Sequence, residues 1–218
     1  MPVITYAIIA LTCITSLLAF QNSSLKSNSL FIPYIIKRNN KEWHRFFTHA
    51  LVHADSMHLI FNMLSLYWFG QVTELAFYEL FGHGKGMLFY VLLYVGGVVL
   101  SSFPSFEKHK DDSYYGALGA SGAVSSVVFS AILIFPTMGM GLLFLPIRMP
   151  AFVFGLIYLT ASSYLAKHGR DNIGHSAHFW GGVFGIVFTL ALKFHLGSDF
   201  IQQVKEYINF HLYGVQDI

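Results

Sequence analysis

Apolar residues run through this chain in unbroken blocks rather than in strict alternation, and polar residues gather between the blocks. Blocks of this length are too long for strands, and a helix needs about 20 mostly apolar residues to cross a bilayer. The pattern predicts six spanning helices, over 2–20, 56–77, 86–103, 121–135, 150–166 and 175–195. The fourth is short. At 1.5 Å per residue it rises only about 22 Å, so its first residue should lie below the membrane surface and the loop before it should dip into the protein.

Two stretches fall outside the blocks. Residues 21–55 are too aromatic ("LFIPYIIKRNNKEWHRFF") for a disordered linker, and are expected to fold partly at the membrane interface with Trp43 and Arg45 at headgroup depth. After Ser198 and Asp199, which can cap a helix, Phe200, Ile201, Val204, Tyr207, Ile208 and His211 recur at helical spacing and predict an amphipathic tail. The expected fold is therefore all-α: a polytopic six-helix membrane domain over 1–196 and a tail over 197–218, without internal repeats.

Composition fits a lipid solvent, because 55% hydrophobic and 11% charged residues would leave too much apolar surface exposed in water. No basic residue precedes the first block and "LLAFQNSS" lacks a small-x-small pattern, so that block reads as a retained span rather than a cleaved leader. A net charge of +2, with no basic run interleaved with aromatics, points away from nucleic acid. Cys13, the single cysteine, cannot form an internal disulfide and reads as a small hydrophobe.

Ionisable and reactive groups inside spans are costly, so each one asks for a reason. His58 and Asn62 lie four residues apart near the start of the second span, Ser121 opens the fourth, and His178 sits one turn into the sixth. In a six-span serpentine the even helices run the same way, so these four side chains share one end of the bundle. A serine is a weak nucleophile until a base takes its proton, and a histidine can take it and later give it to the leaving amine. Neither the fourth nor the sixth span contains Asp or Glu, which leaves a Ser121–His178 dyad rather than a triad. His58, Asn62 and the unbonded first N–H groups of the fourth helix can donate to an oxyanion. The glycines of "YYGALGASGAVSS" permit an irregular loop and close backbone approach.

Simpler readings exist for each element alone. "GALGASGA" and the stripe Ala177, Gly181, Gly182 and Gly185 suit helix packing, and His58 and Asn62 suit interhelical bonding. Glu74 reads as structural or as an interface anchor. His49, His53 and His58 raise a metal site, but His49 and His53 precede the span and no carboxylate or cysteine cluster completes one. His175 reads as polar lining. "GASGA" does not match the G-x-S-x-G hydrolase elbow, since Ala123 stands at its last position. What packing alone leaves unexplained is why three parallel helix starts each carry a reactive or hydrogen-bonding side chain.

In combination these residues resemble the rhomboid intramembrane serine proteases of bacterial six-span type, over about 43–185. "WHRFFTHALVHADSMHLIFN" is similar to the long-loop and second-helix signature, "GASG" to the nucleophile motif, and "AHFWGGVFG" to the pattern of the sixth helix. The resemblance implies Ser121 as nucleophile, His178 as base, and His58 and Asn62 as oxyanion donors. It implies structural support from Arg45, Glu74, Gly119, Gly122, Gly181 and Gly185, and a multi-pass protein of a bacterial plasma membrane. The implied activity is cleavage of transmembrane protein substrates in or near their spans, with a small residue at the cleavage position and no metal or organic cofactor.

The chain departs from that pattern twice. The W-R element reads Trp43-His44-Arg45, with one residue inserted, and the position four after the nucleophile, where some relatives carry a tyrosine stacked on the catalytic histidine, is Ser125. The stacking role is vacant or filled by another aromatic. Lys26, Lys37, Arg38, Lys41 and Arg45 also oppose the orientation the family implies, a cytoplasmic N-terminus and an outward-facing site. The competing expectation is a non-catalytic relative that binds transmembrane clients; a transporter would require paired intramembrane carboxylates that the sequence lacks.

Overall fold

The computed structural model describes residues 1–141, 148–168 and 174–214. Helix α1 (Val3–Gln21) leads into a folded insertion made of α2 (Ser23–Ser29), α3 (Pro33–Arg38), a 3-10 turn (Asn40–His44), α4 (Arg45–Thr48) and a second 3-10 turn (His49–Leu51). The helical run 56–81 follows as α5 (Ser56–Ser65), a π-helical turn (Leu66–Gly70) and α6 (Gln71–Phe81). Then come α7 (His83–His109), α8 (Ser121–Ile134), α9 (Ala151–His168), α10 (His175–Leu192) and α11 (Leu196–Tyr213). By length and composition α1, α7 and α10 can each cross a membrane, and α8 is the short apolar helix among them.

The centre of the bundle is α8. It is apolar all round, and every residue from Gly122 to Ile134 is buried, the signature of a helix enclosed by others rather than facing lipid. The run 56–81, α7, α9 and α10 surround it. Among the described residues the fold is all-α apart from an isolated bridge and one short antiparallel ladder between α8 and α9, β1 (Gly139–Gly141) with β2 (Arg148–Pro150), in register Met140 to Met149.

Two boundaries differ from the sequence expectation in ways that contacts explain. α7 extends to His109 with Pro104 inside it, where the pattern ended the span at 103. Its last turns are held by aromatic packing, since Phe106 lies 5.4 Å from Phe46 and 6.4 Å from Trp43 between ring centroids. Tertiary contact outweighs the amide bond that proline forfeits. The tail helix begins at Leu196, and Ser198 and Asp199 lie in its first turn rather than capping it; the Ser198 hydroxyl donates back to the His195 carbonyl at 2.7 Å. The Gln203 amide reaches the Ile134 carbonyl at 3.4 Å, which docks α11 on the end of α8. The last positions of the tail, 215–218, lie outside the described residues.

The insertion has its own small core of Phe31, Ile36 and Phe46, packed against Val99, Phe106, Tyr115 and Ala117. Arg45, buried, ties it together: Nε donates to Glu42 at 2.6 Å, and Nη1 donates to the carbonyls of Ser27 and Leu30 at 2.8 Å each. A guanidinium can serve three acceptors at once, which an ammonium in a fixed position does less well.

Candidate functional site

The segment before α8 is shaped by the insertion through its backbone. Phe31 and Ala117 exchange both of their N–H···O bonds, at 3.0 and 3.1 Å, in an isolated bridge. Gly119 N–H donates to the His49 carbonyl at 2.9 Å, and Ala120 N–H points at His53 Nε2 at 3.4 Å. Gly119 has φ +118°, a conformation that side-chain-bearing residues rarely adopt, and a Cβ there would fall 2.5 Å from His58 Cε1. The chain therefore enters α8 along a fixed path, with the His58 ring laid against Gly119.

His49 and His53 belong to this framework. His49 Nε2 pairs with Ser102 Oγ at 3.2 Å, and His53 Nδ1 pairs with Ser16 Oγ at 3.0 Å. Burial lowers the His49 imidazole to about 4, and burial, with the neighbouring His58, lowers His53 to about 3. Both are neutral hydrogen-bonding groups near pH 7. Two serines and an amide occupy three of their four ring nitrogens, and among the described residues no group of three or more His, Cys, Asp or Glu is arranged to hold a metal.

Ser121 is the first residue of α8, half-buried, and its helix start has no side-chain cap. The amides of that first turn lack intrahelical acceptors. His58 and Asn62 lie one turn apart on α5. Asn62 is 7% exposed, and its amide donates one N–H to the His58 carbonyl at 2.9 Å. Asp55 caps α5 by accepting from His58 N–H at 2.9 Å, which holds its carboxyl below the usual range.

The partner helix α10 touches α8 backbone to backbone. A Cβ at Gly181 would fall 2.1 Å from the Gly122 carbonyl oxygen, and one at Gly185 would fall 2.2 Å from that of Ser126. Both numbers rise together along the two helices, so α8 and α10 run parallel, as the parity of the spans predicts. Ser121 stands beside Gly122, and His178 precedes Gly181 by about one turn on the same face of α10. The glycine seam thus puts Ser121 and His178 at the same end of two touching helices, with His58 beside the loop that enters α8.

Tyr158 of α9 is a residue the sequence reading did not single out. Its ring faces that of His178 at 6.0 Å between centroids and 29° between planes, and its hydroxyl pairs with Ser125 Oγ at 2.9 Å. The one signal for it in sequence was negative, the serine at position 125. His175 meets His178 edge-on at 6.0 Å.

Glu74 lies elsewhere. It is 0% exposed and accepts from the N–H groups of Ile4 and Thr5 at 2.9 and 2.7 Å, from Thr5 Oγ1 at 2.7 Å, and from the Tyr78 hydroxyl. A carboxylate from α6 thereby completes the N-terminus of α1.

A family model described as Rhomboid domain matches residues 40–194. The chain is 30% identical over 145 residues to RHOMBOID-like protein 12, mitochondrial, of Arabidopsis thaliana, across 63% of this chain and 43% of that protein. It is 26% identical over 187 residues to Rhomboid protease GluP of Bacillus subtilis (strain 168), across 84% of this chain and 34% of that protein. It is 31% identical over 85 residues to Putative rhomboid protease YdcA of the same organism, across 39% of this chain and 38% of that protein. The chain thus spans less than half the length of each of these relatives.

Proposed function

Because the chain belongs to the rhomboid family, we propose that it is an intramembrane serine endopeptidase that cuts peptide bonds in or near transmembrane segments of other proteins. Its family and its apolar helices make it an integral membrane protein. The observation that carries the reading is the parallel glycine seam, which sets Ser121 and His178 at one end of two touching helices.

Ser121 Oγ attacks the scissile carbonyl carbon while His178 takes the hydroxyl proton. The oxygen that becomes negative is held by the first amides of α8, with His58 and Asn62 beside them. His178 passes the proton to the leaving amine, and the C–N bond breaks. His178 then deprotonates a water, which attacks the acyl ester, releases the acid and restores Ser121. A substrate helix must unwind before its carbonyls are reachable, so segments containing Gly or Pro unwind at lower cost. The membrane domain is taken as 1–196 and the tail as 197–218. The membrane is taken as a bacterial plasma membrane, on the overlap with GluP; fractionation of the native source tests this against the mitochondrial setting of the Arabidopsis relative's name.

The test is cleavage of a labelled transmembrane substrate by purified wild type, Ser121→Ala and His178→Ala. Cleavage by wild type and by neither variant is expected. Binding of the substrate without cleavage by wild type replaces this reading with a non-catalytic, client-binding one.

A further inference from the structure

We propose that Tyr158 is a positioning residue for the His178 imidazole, with Ser125 as its anchor. The inference rests on the protease reading above.

The glycine seam fixes the distance between the α8 and α10 backbones, and the orientation of the His178 ring is set by the groups around it. Tyr158, from a third helix, lies along the face of that ring. Its ring also meets Phe129 at 5.7 Å and Phe154 at 5.8 Å, so apolar packing alone would be satisfied by a phenylalanine. The hydroxyl is the additional element. In a bilayer an unbonded hydroxyl is costly, and here it meets Ser125 Oγ at 2.9 Å. Ser125 lies four residues after Ser121, on the same face of α8 and one turn deeper. The phenol is therefore tied to the helix of the nucleophile while its face lies on the base. Holding the imidazole in one orientation before substrate arrives removes rotamers that would otherwise be lost during the reaction.

α9 reaches this position because it comes close to α8. A Cβ at Gly155 would sit 3.3 Å from both Phe129 Cε1 and Ile132 Cδ1, and Gly155 lies one turn before Tyr158.

The experiment compares Tyr158→Leu, Tyr158→Phe, Ser125→Ala and the double variant Tyr158→Phe with Ser125→Ala. Each is assayed for kcat and KM on the labelled substrate. The histidines are 13C-labelled, and the His178 resonance is assigned by its loss in His178→Ala. Tyr158→Leu should lower kcat roughly tenfold, the scale of one lost aromatic pair, with KM nearly unchanged, and should move the His178 resonance. Tyr158→Phe and Ser125→Ala should each lower kcat roughly two- to fivefold, and the double variant should be no worse than either, because both remove the same bond. Wild-type kcat in a folded Tyr158→Leu, or an unmoved His178 resonance, overturns the proposal. Multiplied losses in the double variant overturn the anchoring by Ser125, and this arm holds even if the leucine variant does not fold. If wild type does not cleave but the resonance still moves in Tyr158→Leu, the protease reading fails and the positioning stands.

Discussion

Two polar clusters sit inside the same bundle and are built in opposite ways. Around Glu74 every strong acceptor is engaged: two amides, a threonine hydroxyl and a tyrosine hydroxyl converge on one carboxylate with no exposed surface. Around Ser121 the arrangement is looser: Ser121, His58 and His178 are half-buried and lie in the first turns of their helices, and the leading amides of α8 have no acceptor within the helix. An ionisable residue within a span is a functional candidate by default, and Glu74 is the case where that default fails. Saturation by bonds separates a group that completes a helix from one that can meet a substrate.

The comparison breaks most directly by exchanging the damage. Ser121→Ala should lower cleavage about 10⁴-fold or more while leaving thermal unfolding in detergent unchanged. Glu74→Ala should do the reverse, lowering stability by about 3 kcal/mol through the buried amides it orphans, with kcat per folded molecule close to wild type. If Glu74→Ala lowers kcat without affecting stability, the division between the clusters is wrong.

A smaller effect on both properties is expected from the seam that joins the two helices of the site. Gly181→Ala puts a methyl 2.1 Å from the Gly122 carbonyl oxygen, where backbone must move. Stability should fall by about 2 kcal/mol and kcat should fall with it, because separating the helices moves His178 away from Ser121. The adjacent exposed Trp180 offers a control, since Trp180→Phe should change neither.

The smallest effect sharpens the comparison through pH. His49 and His53 are neutral when folded, held at about 4 and about 3, but titrate near 6.5 when unfolded. Below 6.5 the unfolded chain binds protons that the native one refuses, so their contribution is complete above that pH and drains as pH falls towards 4 and 3. Between pH 6.5 and 5.5 unfolding should become easier by about 1 kcal/mol for each residue. The variant carrying both His49→Asn and His53→Asn should show a flatter profile, and an unchanged slope would move these histidines out of the framework.

Much of this was legible from the chain alone, because the signals are local. Unbroken apolar blocks gave the spans, and the parity of the spans brought Ser121, His178 and His58 to one end. The partner of Glu74 could not be read, since it is the start of α1, 70 positions away. The same holds for His49 and His53, whose nitrogens meet α7, α1 and the entrance to α8 only after the insertion folds. Tyr158 was hidden differently: in "AFVFGLIYLT" it is one aromatic among many, and only the rotation of α9 selects it. The extension of α7 past Pro104 was missed because a local breaker rule was overruled by Trp43, Phe46 and Phe106.

The bonds of Glu74 also set an order of assembly. Helix α1 leaves the ribosome before α6 and α7, so the acceptor for its leading amides is synthesised much later, and Tyr90, whose hydroxyl meets Thr5 Oγ1 at 2.8 Å, later still. The start of α1 therefore waits, hydrated or loosely bound, until α6 and α7 have entered the bilayer. A helix made before its partners is thus locked only after them, and truncating the nascent chain before residue 74 should leave α1 inserted but unsealed.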